Sequence, residues 1–308
     1  TVAYKPAAAQ IKAGGLLTAM GLFWALAHQP DRHRLTVALG LMLHAAAALG
    51  AVILLTKGGG PRILQATAPR LATLLETESI NANVAGGMLA LLLPYAVPVL
   101  AGAWDLPTPR RGWATAYVAG LTLISAAGWW VTGSRGAQVA LACAGGAWVG
   151  GRALGRLSRR TRTLLIAALG IAGVVVLVLV VPRLATAPDP TIDGATAAPT
   201  ALANRVWLWK VGRRLVHDAP FTGLGLGNFE MPFAVYALLI HVGFVSHGHN
   251  LWLDLAIEQG VPGALAFLAL TGAALAWGLH LDRRLTSPAQ ARTRLLLTSA
   301  LASLTVLV

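Results

Sequence analysis

Residues 164–181 are almost purely aliphatic, a run that water cannot hold in a helix and that a bilayer can. Seven further apolar stretches lie at about 13–27, 35–55, 84–104, 113–132, 136–151, 250–279 and 295–308; the first is short. About 20 apolar residues cross roughly 30 Å of hydrocarbon. The fold expected from these eight stretches is all-α, a polytopic bundle of about eight transmembrane helices. The stretch 250–279 opens with polar residues, so its beginning is expected at the membrane interface. Composition agrees: of 308 residues, 56% are hydrophobic and 11% charged. An ordinary soluble domain has roughly 25% charged residues. A disordered chain, a disulfide scaffold and most soluble enzymes are excluded. The single cysteine, Cys143, lies inside an apolar run, which leaves no disulfide or thiolate metal site.

Charge gives the organisation. There are 24 Lys and Arg against 11 Asp and Glu, a net of +13. Such a balance can mark nucleic-acid binding. Here the basic residues punctuate apolar runs, so the partner expected is a lipid bilayer and no nucleic acid. The loops 28–34, 105–112, 152–162 and 280–294 carry 2, 2, 5 and 4 basic residues, thirteen of the 24. The richest holds Arg152, Arg156, Arg159, Arg160 and Arg162. By the positive-inside rule these loops face the cytoplasm, and 56–83, 133–135 and 182–249 face outward. The expected organisation is six spans within 1–181, a large outer loop with short helices at 182–249, and the last spans within 250–308. The chain opens on Thr1 without a signal-peptide pattern and stops inside an apolar run, as a piece of a longer protein would.

The large outer loop carries most of the unusual residues. Its part 185–199 is rich in Ala, Pro, Thr and Asp and reads as a connector. Residues 201–216 predict an amphipathic helix with Arg205, Trp209 and Arg213 at i, i+4 and i+8, on one face. Two readings stand for it. It is an interfacial helix with Trp at headgroup level and Arg on lipid phosphates, or its arginines hold a specific phosphorylated ligand. The run Gly223-Leu-Gly225-Leu-Gly227 has the look of a phosphate loop, but no strand of a βαβ unit precedes it; a glycine turn is expected. Residues 229–244 are mostly apolar and expected to touch the membrane surface. His241, His247 and His249 raise the question of a metal. No cysteine or compact carboxylate cluster completes a ligand set, and the nearest acids, Asp254 and Glu258, belong to the next helix, so no metal or other cofactor is expected.

Three polar features fall on the outer side. One is Thr132-Gly-Ser-Arg135-Gly-Ala, a tight turn between two spans. An arginine at that depth must be paired, face a cavity or snorkel to water. The second is Arg205, with Arg213 and Arg214 close by in sequence. The third is Ser246-His247-Gly248-His249-Asn250, opening the helix that carries Glu258, Gly260 and Gly263.

Together these motifs resemble the O-antigen ligase and O-antigen polymerase superfamily. The ligase signature is His, then Asn, Ser or Gln, nine residues, then Gly-x-x-Gly. This chain has His249-Asn250, nine residues, and Gly260-Val-Pro-Gly263. Glu258-Gln-Gly260, Thr132-Gly-Ser-Arg-Gly136, Pro220-Phe-Thr-Gly-Leu-Gly-Leu-Gly-Asn-Phe229 and Asn81-Ala-Asn83 are similar to further features of the family, so the resemblance runs from about Ile80 to Gly263. One position departs. The family's Arg-x-x-x-Leu has Trp209 where the leucine stands.

The resemblance implies a membrane glycosyltransferase of the bacterial inner membrane with its active site on the periplasmic face. It implies an undecaprenyl-diphosphate-linked glycan donor and a glycolipid or glycan acceptor, with lipid A–core the acceptor in a ligase. His249 would take the proton of the acceptor hydroxyl, and Glu258 would orient His249 or the acceptor. Arg135, Arg205 and Arg213 would bind diphosphate, while Asn250, Gly260 and Gly263 would be structural. No Asp-x-Asp motif occurs in the sequence, in keeping with a metal-independent reaction. A polymerase or a protein oligosaccharyltransferase of the same superfamily would share these residues. A lipid-linked oligosaccharide transporter, which has no chemistry, would show internal repeats with broken helices near mid-membrane; none is apparent. A glycolipid-binding receptor would use the arginines without needing His249.

Overall fold

The computed structural model describes residues 6–28, 32–57, 66, 81–155, 158, 160–161, 163–164, 167–168, 171, 201–229, 232–233, 235, 248, 250–287 and 290–307. All regular structure among them is helical. The helices are α1 (Pro6–Ala27), α2 (Arg32–Thr56), α3 (Ala82–Leu92), α4 (Ala96–Trp104), α5 (Thr108–Val131), α6 (Arg135–Gly155), α7 (Ala201–Asp218), α8 (Leu251–Arg284) and α9 (Ala291–Leu307). Among the described residues, four stretches are long and apolar enough to cross a membrane: Val37–Thr56, Ala82–Trp104, Thr108–Val131 and Leu251–Arg284. The expected spans at 13–27, 136–151 and 295–308 fall on α1, α6 and α9. Most of the one expected at 163–181 lies outside the described residues, as do the connector 185–199 and most of 229–244. The stretch 84–104 is two helices joined by a 3-10 turn, Leu93–Tyr95. Pro94 sits in that turn, and its missing amide breaks the α-helical ladder.

Two compact units emerge. The first comprises Thr1–His28 and Ser158–Gly272, the second Gln29–Leu157 and Ala273–Val308. The beginning of α8 belongs to the first and its last turns to the second.

In the second unit the most extensive packing is α2 on α5. Small residues make it possible. A Cβ on Gly128 would overlap Gly50 Cα, and one on Gly50 would lie 2.7 Å from Ile124 O. Ser125 beside them is fully buried and donates to Leu121 O at 2.8 Å. In lipid no hydrophobic force joins two apolar helices, so backbone approach through Gly and Ser supplies the contact. Further along the pair, His44 Nε2 and the Tyr117 hydroxyl lie 2.7 Å apart. On α9, Ser303 Oγ donates to Leu91 O of α3 at 2.7 Å.

Polar contacts gather at both ends of this unit. Arg292 Nε donates to Asp105 at 2.9 Å, joining the loops 105–112 and 280–294 that the charge count places on one face. Arg294 pairs with Asp282 at 2.9 Å. At the other end, Asn81 caps α3, its Oδ1 accepting from Asn83 N and Val84 N at 2.9 and 3.4 Å. Further into α3, Gly86 lies against Thr132 and Ser134 of the tight turn.

If Gly128 is the keystone of the α2–α5 contact, Gly128→Leu drives the helices apart. The expected cost is at least the roughly 1–3 kcal/mol of an overpacked core. It is read as a lower unfolding temperature in detergent, with Gly120→Leu, where nothing lies within 4 Å of a Cβ, as the neutral control.

Candidate functional site

The first unit is built on a break in α8. Gly260 stands at φ 76° and ψ 171° inside an otherwise helical run, and Pro262 follows. A helix at this point would pair Val261 N with Ile257 O, and Glu258 O with the amide of residue 262. That second amide does not exist, because residue 262 is proline. The orphaned groups find partners in the glycine loop 220–228. Leu224 N donates to Ile257 O at 2.7 Å, Gly225 N donates to Glu258 O at 3.0 Å, and Val261 N donates to Pro220 O at 2.7 Å. The two stretches that looked like separate motifs are one backbone clasp.

Glycine is required on both sides of it. Gly223, Gly225 and Gly227 have φ of 65°, 93° and 75°, so the glycine turn is what forms. A Cβ on Gly223 would lie 2.5 Å from Glu258 C and Gly260 N, and one on Gly260 would overlap Phe221 O. Asn228 closes the loop, its Nδ2 donating to Leu224 O at 2.8 Å. Gly263 leaves room for Gln259, whose Cβ would be 2.5 Å from a Cβ there. The spacing Gly260-x-x-Gly263 is thus one residue for the break and one for the return to helix.

α7 is amphipathic as expected. Leu208, Val211 and Leu215 are buried with Phe229, Phe233 and Ile257. Phe229 and Phe233 stack at 5.1 Å, and Trp207 meets Phe233 edge-on at 5.3 Å. Of the expected ligand-binding face, Arg205 is half-buried and Arg213 exposed. Neither pairs with an acidic side chain among the described residues. Trp209, between them, reaches away: its indole Nε1 donates to Gly248 O at 3.2 Å. The departure from the leucine pattern at position 209 therefore tethers the segment that opens α8.

That segment is tied twice more. Gly248 N donates to Asp254 Oδ1 at 2.7 Å. Asn250 Oδ1 accepts from Trp252 N and Leu253 N at 3.1 and 3.2 Å, an N-cap of α8. His249, with His241 and His247, lies outside the described residues, but both its neighbours are held. The acids considered for a metal are occupied in this arrangement, Asp254 by Gly248 N and Glu258 by an ion pair.

The partner of Glu258 is Lys12 Nζ of α1, which the sequence does not single out. Glu258 is 8% exposed, and a buried carboxylate is costly without a cation. The available signal was parity: with loop 28–34 cytoplasmic, Lys12 falls at the outer end of its helix, the same end as Glu258.

Arg135 belongs to the second unit, where it is the first residue of α6 and exposed. The turn before it is fixed. Gly133 has φ 63°, Thr132 Oγ1 donates to Trp129 O at 2.7 Å and accepts from Ser134 N at 3.3 Å, and Ser134 Oγ accepts from Ala137 N at 3.5 Å. Arg135 thus begins a capped helix on a rigid turn, its guanidinium without an acidic partner among the described residues.

Residues 120–268 match a family described as O-antigen ligase. No curated protein matches the chain.

The clasp and the ion pair make separate predictions. Gly260→Ala forces an L-residue to a positive φ against Phe221 O and lowers the unfolding temperature, at a cost of at least about 1–3 kcal/mol. Lys12→Met strands Glu258 and costs about 1–3 kcal/mol. Adding Glu258→Met recovers most of that loss, because an apolar pair needs no counter-charge. Additive losses in this double-mutant cycle would show that the two side chains do not interact.

Proposed function

We propose that the chain is a membrane enzyme of the O-antigen ligase and polymerase superfamily, since its residues 120–268 match the family described as O-antigen ligase, and that it transfers a glycan from undecaprenyl diphosphate to an acceptor sugar hydroxyl, that of lipid A–core. One observation carries this reading. The family match, residues 120–268, encloses all the residues assigned roles, from Arg135 through Arg205, Arg213, His249, Asn250, Glu258 and Gly260 to Gly263.

In this reaction the acceptor oxygen attacks the anomeric carbon of the donor glycan. The new glycosidic C–O bond forms as the C–O bond to diphosphate breaks. The bonding pair leaves with undecaprenyl diphosphate, and the acceptor proton passes to His249. Imidazole suits that step because it titrates near neutral pH. The charge gathering on the leaving diphosphate calls for fixed cations. Guanidinium stays charged and binds phosphate oxygens as a fork, which suits Arg135, Arg205 and Arg213 to the role. Glu258, paired with Lys12, is assigned the positioning of the first turns of α8 that follow His249-Asn250. The active site is assigned to the periplasmic face of the bacterial inner membrane, the side to which the charge count sends loop 182–249.

In a reconstituted assay with a lipid-diphosphate glycan, His249→Ala is expected to lower transfer by about 10²–10⁴-fold while the protein still folds in the membrane. Full activity in that variant would overturn the assignment of His249. Arg135→Ala and Arg205→Ala are expected to weaken donor use, and Arg→Lys to rescue neither fully, since an ammonium lacks the fork. Deleting the gene separates the acceptors. Unattached full-length polymer marks a ligase, single repeat units on the acceptor mark a polymerase, and loss of protein glycosylation marks a protein oligosaccharyltransferase.

A further inference from the structure

The break in α8 is also a depth marker. Between Glu258 and Asp282 the helix carries no Asp, Glu, Lys or Arg. At about 1.5 Å per residue, the stretch 261–281 is roughly 30 Å long, the thickness of the hydrocarbon layer. The turns before Gly260 contain Asp254 and Glu258, and those after it expose Val261, Leu265 and Leu268 at i, i+4 and i+7, an apolar stripe on one face. The bilayer boundary therefore falls at Gly260. The glycine loop is stitched to the helix at that level, through Val261 N and Pro220 O.

The residue next to Pro220 is Phe221, which is 77% exposed. A phenyl ring left open to water in a loop whose neighbours Gly223 and Asn228 are buried needs an apolar partner. The lipid facing Val261 and Leu265 supplies one, since the loop and the stripe meet at the same backbone. We infer that Phe221 is a membrane anchor: the glycine loop 220–228 sets its phenyl group into the bilayer surface beside the Gly260 break. The bilayer is the occupant favoured over a protein partner because the loop that carries Phe221 is hydrogen-bonded to Val261, the first residue of the exposed apolar stripe. Anchored so, the loop holds Glu258, Lys12 and the start of α8 at headgroup level. That is also the level of the diphosphate of any lipid-linked molecule, although the anchor does not depend on the transfer reaction proposed above.

Cys143 is the only cysteine, so single-cysteine variants are readily made. In a Cys143→Ser background, Phe221→Cys, Leu265→Cys and His217→Cys each receive a nitroxide label in phosphatidylcholine–phosphatidylglycerol vesicles. Collisions with oxygen, which concentrates in lipid, are compared with collisions with a water-soluble nickel chelate. The label at 221 is expected to favour oxygen several-fold over the label at 217, whose side chain is 92% exposed, and to approach the label at 265. Equal access of the nickel chelate to 221 and 217 would overturn the anchor. If the Phe221 variant does not fold, Thr222→Cys, exposed on the same loop, reports the same depth and carries the same two outcomes. No glycan substrate is present, so the result stands apart from the assignment of His249.

Discussion

Backbone polar groups cannot be left unpaired where water is scarce, and that constraint organises the first unit. Pro262 removes one amide from α8 and Gly260 turns the chain out of helix, which together free Ile257 O, Glu258 O and Val261 N. An exposed helix would hand these groups to solvent. Here the glycine loop returns a matching set from Pro220, Leu224 and Gly225. The loop can come this close only because Gly223 and Gly260 lack a Cβ. Break and loop are therefore mutually dependent: neither sequence makes structural sense without the other. The start of α8 inherits its position from the arrangement, with Trp209, Asp254 and Asn250 adding side-chain ties around His249.

The second unit uses the same lack of side chains for another end. Gly50 and Gly128 let α2 and α5 touch along their backbones, and Gly86 lets α3 pass against the Thr132–Ser134 turn. The first contact stabilises a helix pair in lipid, where Leu-on-Leu packing gains little over Leu-on-lipid. The second braces the turn that starts α6 and sets where Arg135 begins.

Much of this was legible in the sequence because it is local or periodic. Hydropathy placed the described helices, and Arg292–Asp105 joins two loops that the charge count assigns to one face. The glycine turn and the amphipathic α7 followed from spacing alone. What was not legible is long-range. Glu258 and Lys12 are separated by 246 positions, and no local pattern announces a pair at that distance. Trp209 read as a departure from a pattern because its hydrogen bond to Gly248 O crosses 39 positions. The Gly260-x-x-Gly263 motif was visible, but the reason for it was not, since half of the clasp lies in another motif.

Charge placement sharpens the site further. With a net charge of +13, at least that many cations must go without an acid. The acids are spent selectively. Asp105 and Asp282 go to Arg292 and Arg294 at one end of the second unit, and Glu258 goes to Lys12 in the first. Arg135, Arg205, Arg213 and Arg214 are left without an acidic partner among the described residues. Unpaired arginines on the cytoplasmic side follow from the positive-inside rule; these four fall on segments that the charge count assigns outward. Each is held on an ordered helix, so its charge is presented from a fixed backbone. Pairing any of them internally would have cancelled its charge, whereas pairing Lys12 with Glu258 compensates a buried carboxylate. Within the first unit, Arg205, Arg213 and Arg214 keep their charges while the buried Glu258 is compensated by Lys12.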